Sequence, residues 1–74
     1  MYIQFGGNIL NLNNVDYFSK HEDNPSYIQA YRCVLGNRII ICSEEFNTKE
    51  QMYKRFEILS DILCRESLEM MQKR

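Results

Sequence analysis

The sequence predicts an α+β fold: an antiparallel β-meander of about four to five strands over residues 1–43, then one long C-terminal α-helix over 48–73. Three observations carry this. The first segment, Tyr2–Leu12, alternates apolar and polar residues around a turn signal at Gly6-Gly7-Asn8, and a second turn signal at Gly36-Asn37 joins two further strand-like runs, as hairpins do. From Thr48 the period becomes helical, with Met52, Phe56, Leu59, Leu63 and Met70 in one stripe and Ile62 on its flank. The 74 residues make one domain, 1–74, with no room for a second. A chain this short buries only about 60% of its unfolded surface, so its core is thin.

Tyr2–Phe5 and Asn8–Leu12 read as the first hairpin. Ile3, Phe5, Leu10 and Leu12 share a face whether the turn is Gly6-Gly7 or Gly7-Asn8, which makes them core together with Phe56, Leu59 and Leu63. Asn13-Asn14 bends the chain into a third strand, Val15–Ser19, and Lys20–Ser26 reads as a polar loop with a turn at Asn24-Pro25. Tyr27–Val34 and Arg38–Ser43 form the second hairpin, with Gly36-Asn37 as its turn and Tyr31 opposite Cys42. In that register one face carries Tyr27, Gln29, Tyr31, Cys33, Ile40 and Cys42, and the other Ile28, Ala30, Arg32, Val34, Ile39 and Ile41. Thr48-Lys49-Glu50-Gln51 is a capping box opening the helix. Glu50–Lys54, Asp61–Arg65 and Glu69–Lys73 place acid before base four residues apart, the order that suits the helix dipole.

Composition narrows the function. At 45% hydrophobic and 26% charged, with nine aromatic residues and one proline, this is a folding chain rather than a disordered one. No apolar run approaches the roughly 18 residues of a membrane span. Met1-Tyr2-Ile3-Gln4 lacks a basic region before an apolar one, so no signal peptide is expected and the expected location is cytoplasmic. Cys33, Cys42 and Cys64 are odd in number and widely spaced, and with a single histidine they fit buried free thiols rather than disulfides or a metal site. No P-loop, dinucleotide fingerprint or nucleophile elbow is present, so no enzymatic activity and no cofactor are expected.

Local clusters add little chemistry. His21-Glu22-Asp23 lies in the polar loop, where an acid–base pair is not preorganised. Glu44-Glu45 reads as a charged break between strand and helix that also sets negative charge near the helix N-terminus. Nine Lys/Arg against ten Asp/Glu, interleaved along the helix, argue against nucleic acid as a partner.

Two features call for a partner. The second hairpin is apolar on both faces, whereas a half-solvated antiparallel sheet alternates. The helix, at about 36 Å, outruns strands of about 20 Å. Near its end Cys64, Leu68, Met70 and Met71 form a candidate oligomer contact, and a homo-oligomer is expected. Tyr27, Tyr31, Arg32 and Arg38 form the candidate partner or ligand surface.

The run from Ile3 to Val15, a later Tyr27-Ile28-x-x-Tyr31 strand, the Gly36-Asn37 hairpin and Phe46-x-Thr48-x-Glu50 at the helix start resemble short uncharacterised β-meander-plus-helix proteins of bacterial and phage genomes. The resemblance implies no catalytic residue. It implies a small inhibitor of a bacterial defence system, acting by direct binding or by ligand sequestration. The expected function is therefore a non-enzymatic binding module that self-associates and blocks a partner protein. The alternatives are a nucleotide-type ligand sponge with its pocket at a subunit interface, and a nucleic-acid binder.

Overall fold

A computed structural model describes residues 1–72, with side chains described for residues 1–66. The fold is α+β: five antiparallel strands and one C-terminal helix. Strands β1 (Tyr2–Phe5) and β2 (Asn8–Asn11) form a two-stranded sheet. A 3-10 turn over Leu12–Asn14 follows, and the Asn11 carboxamide oxygen accepts from the Asn13 amide at 3.1 Å. Strands β3 (Tyr17–His21), β4 (Ser26–Val34) and β5 (Asn37–Phe46) form a three-stranded sheet in that order. Helix α1 spans Lys49–Gln72, and the Thr48 hydroxyl caps it by accepting from the Gln51 amide at 3.2 Å.

The core lies between the inner face of the three-stranded sheet, the helix and the first hairpin. Phe5, Leu10, Leu12, Val15, Phe18, Ile28, Ala30, Met52 and Leu59 are buried, with Ile3, Phe46, Phe56, Ile62 and Leu63 packed against them. Phe5 meets Phe18 at 5.5 Å between tilted rings, joining the hairpin to the sheet. Lys20 also lies on the inner face. Its ammonium sits 5.2 Å from the Tyr53 ring centre and 4.9 Å from that of Phe56, so the helix satisfies the cation with aromatic faces.

Several sequence expectations are corrected. The third strand is Tyr17–His21 rather than Val15–Ser19, because the 3-10 turn consumes Leu12–Asn14 and leaves Val15 as a buried cap. The last strand runs on through Phe46 rather than ending at Ser43. The second turn is Leu35-Gly36, not Gly36-Asn37: Val34 pairs with Asn37, and both turn residues have positive φ, 51° and 81°.

The largest correction concerns faces. Tyr31 pairs with Ile40 and Ala30 with Cys42, so Ile41 is an unpaired bulge residue. The extra residue moves Cys42 to the inner face, along with Glu44 and Phe46. Of the three cysteines, all free thiols, only Cys42 packs on the core, while Cys33 and Cys64 are exposed.

The first hairpin turns at Gly6-Gly7, with φ of 59° and 80°. At Gly6 a Cβ would collide with the Ser43 carbonyl oxygen and lie 2.9 Å from the Cys42 sulfur, whereas at Gly7 it would point into open space. Gly7→Ala is therefore expected to cost only the backbone term, about 1–2 kcal/mol. Gly6→Ala adds the displacement of the hairpin from β5 and should lower the melting temperature distinctly further. Equal losses for the two variants would refute the close approach.

Candidate functional site

Alternation along β3, β4 and β5 builds an outer face, turned away from the helix. β3 contributes Tyr17, Ser19 and His21, β4 contributes Tyr27, Gln29, Tyr31 and Cys33, and β5 contributes Arg38, Ile40, Ser43 and Glu45. The register sets three cross-strand rungs between β3 and β4: Tyr17 with Tyr31, Ser19 with Gln29, and His21 with Tyr27. The first and last are stacked ring pairs, with centres 4.9 Å and 4.5 Å apart and planes within 10°. The middle rung is a polar floor. The Tyr31 hydroxyl donates to the Gln29 carboxamide oxygen, and the Ser19 hydroxyl lies 3.1 Å from His21 Nε2.

Charge is divided along this face. At the Tyr17–Tyr31 end, Arg38 Nη1 donates to the Tyr17 hydroxyl at 3.5 Å, and that hydroxyl holds the guanidinium above the usual arginine range. At the other end Glu45 stands opposite Tyr27. Partial burial first, and the nearby Asp23 carboxylate second, raise the Tyr27 hydroxyl above the usual tyrosine range. One end of the face is thus basic and the other acidic.

Beyond the helix-covered part of the sheet, the β4–β5 tip exposes apolar side chains. Leu35 is 97% exposed, Ile40 53% and Ile39 49%, with Val34 and Ile41 also exposed. Scattered exposed leucines are ordinary, but here Leu35 at the turn adjoins Val34 and Ile39 on the inner side of the tip, while Ile40 is exposed on the outer side.

The structure brings Tyr27, Tyr31 and Arg38 together on the outer face and adds Tyr17, Ser19 and His21. Arg32 does not join them, because β alternation puts it on the inner side near the tip. Local spacing alone does not place these β3 residues in the site: the expected strand Val15–Ser19 holds Tyr17 and Ser19 but not the pairing that sets them beside Tyr31 and Gln29, and His21 falls in the expected loop. The alternation Tyr17-Phe18-Ser19-Lys20-His21, with Phe18 inward, was the signal available. Cys64 is exposed and lines a shallow cleft of about 350 Å³ with Asp16, Tyr17, Phe18, Ser60 and Leu63. The side chains of Leu68, Met70 and Met71 lie outside the described residues. A second cleft, of about 240 Å³, is lined by Gln4, Phe5, Gly7, Asn8, Ile9 and Glu44. Tyr27, Tyr31 and Arg38 line neither of these two clefts.

Glu44 is a structural group. Its carboxylate accepts from the Gly6 amide at 3.0 Å and from Arg55 Nε at 3.2 Å, and Arg55 donates also to the Gln4 carbonyl. Among the described residues no cluster of three or more metal-ligating side chains occurs, and no helix is long and apolar enough to cross a membrane.

No family model matches this chain, and neither a curated protein nor a solved structure does.

Tyr27 offers a direct test of the site electrostatics. Asp23→Asn removes the negative charge that disfavours tyrosinate, while the burial contribution stays. In a tyrosine titration followed residue by residue, the Tyr27 transition should move down on this substitution. An unchanged titration would place Asp23 away from Tyr27.

Proposed function

We propose that this chain is a non-enzymatic binding module that self-associates and blocks a partner protein, in the manner of a small phage-type inhibitor of a bacterial defence system working in the cytoplasm. One observation carries the reading. Leu35 occupies a left-handed conformation, φ 51°, with its side chain 97% exposed. Asparagine or glycine suits that turn position, and leucine there costs about 1 kcal/mol. A bulky apolar residue is thus held where it lowers stability and buries nothing within its own chain. Strained backbone positions cluster at ligand-binding and switch sites. With Val34 and Ile39 beside it on the inner side, the hairpin tip presents an apolar knob to another protein.

A second reading, a sponge for nucleotide-type ligands, is favoured by the stacked rings beside Arg38 on the outer face. A nucleic-acid backbone suits that face less well, since Glu45 and Asp23 beside Tyr27 repel phosphate.

Leu35→Asn separates stability from binding. It relieves the turn and should raise stability by about 0.5–1 kcal/mol. It also removes the knob, so a protein retained by the unmodified chain from host lysate should be lost. Ile39→Ser should lose the same protein without the gain in melting temperature. Retention by both variants, or no protein retained by the unmodified chain, overturns the reading. A melting-temperature rise with added nucleotides in place of capture would favour the sponge.

A further inference from the structure

The outer face of the three-stranded sheet has a property that the tip lacks: it is complementary to itself. Arg38 and Glu45 both lie on β5 and both face outward, near opposite ends of the strand. Among the described residues neither makes an ion pair within the chain, and Arg38 meets only the Tyr17 hydroxyl at 3.5 Å. Between the charged ends lies a half-buried band of Tyr17, Ser19, Tyr27, Gln29 and Tyr31, with Ile40 beside it. Tyrosine and arginine around an uncharged centre are the composition of interface cores.

We propose that a second copy of this chain covers the face, packed sheet on sheet about a two-fold axis that runs across the strands, with Arg38 of each subunit against the partner subunit's Glu45. Such an axis reverses strand direction while keeping β5 over β5. The basic end of one subunit therefore lies on the acidic end of the other, twice per dimer. It passes near the Gln29–Tyr31 level of β4, midway between Cys33, which pairs with Arg38, and Tyr27, which pairs with Glu45. The uncharged band then forms the centre and the ion pairs form the rim. Aligned packing of two twisted sheets, about 10 Å apart, is the ordinary way an antiparallel sheet buries its second face. A two-fold contact is also self-limiting, so it closes at the dimer. The opposite charges select a second copy over a polyanion, which the acidic end repels, and the small net charge of −1 leaves two copies free to associate. Asp16, at the basic end, does not compete for Arg38. It lies on the inner side, where it accepts from the Cys33 amide. Lys20, at the acidic end, also lies on the inner side, over the rings of Tyr53 and Phe56.

This inference deepens the proposed binding role by naming the self-association surface, and the two fail separately. The test is the mass of the chain in solution across a concentration series, for the unmodified protein and for Arg38→Glu and Glu45→Arg. Both positions are exposed, so near-unchanged melting curves check folding. The unmodified chain should be dimeric at high concentration. Each single reversal should weaken the dimer at least about tenfold by setting like charges against each other. An equimolar mixture of the two variants should restore it, because every 38–45 contact across the interface is then again between opposite charges. A monomer at every concentration overturns the inference, as does a dimer that ignores both reversals. Loss of the dimer on Leu68→Glu with Met71→Glu, with no effect of the reversals, would assign self-association to the helix end. Persisting Leu35-dependent capture by a monomeric chain would leave the binding role standing without this dimer.

Discussion

The β-bulge at Ile41 is the constraint on which the rest of the structure depends. Side chains alternate with a period of two, so one unpaired residue exchanges the two faces for everything beyond it. With the bulge, Cys42, Glu44 and Phe46 turn inward and Glu45 turns outward. Glu44 then reaches both the Gly6 amide and Arg55, tying the first hairpin, β5 and the helix through one carboxylate. A carboxylate on the inner side of a thin core is tolerable only because these donors satisfy it. Without the bulge, Glu44 would point to solvent and Gly6 would lose its hydrogen-bond acceptor.

The first hairpin is held by this clamp, by its own apolar face, by the Cys42 thiol donating to the Phe5 carbonyl at 3.4 Å and by the N-terminal ammonium on Glu66 at 3.0 Å. An isolated two-stranded sheet is marginal in water. Phe5 on Phe18 supplies the hydrophobic contact, and the Gly6 turn seated on the β5 backbone supplies the position. The hairpin thus acts with the helix as a lid over the inner face of the three-stranded sheet. Helix and hairpin are both spent on the inner side, which leaves the outer face with nothing of its own to cover it.

That division leaves two surfaces of different character, on which the two proposals rest. The outer face combines stacked rings, a polar floor and charges of opposite sign at its ends, a pattern suited to pairing with its own copy. The tip combines exposed apolar side chains with a strained turn, a pattern that gains only from a different protein. Ile40 belongs to the outer face, whereas Leu35, Val34 and Ile39 lie at the turn and on the inner side, so the proposed dimer would leave the tip uncovered.

The sequence alone was enough for the fold class, the first hairpin, the helix with its threonine cap, and part of the core. These depend on local rules: positive φ at paired glycines, period-two and helical spacing, and a hydroxyl placed to accept an amide. Phe5, Leu10 and Leu12 were legible because their burial survives either turn register, and Leu59 because it lies on the helical stripe. Val15, Phe18, Ile28 and Ala30 were not in the expected set, and Ile3, Phe56 and Leu63 are only partly buried. Three things were decided only by tertiary structure. The turn closed at Leu35-Gly36 in preference to Gly36-Asn37, although leucine is the poorer residue there, because strand pairing along β4 outweighs about 1 kcal/mol of local strain. The bulge followed from the need to turn Cys42, Glu44 and Phe46 toward the hairpin and the helix. The site residues Tyr17, Ser19 and His21 joined Tyr27 and Tyr31, and Arg32 left them, because register between distant strands sets which side chains meet. Local spacing specifies alternation within one strand, but only the packed neighbours choose the phase.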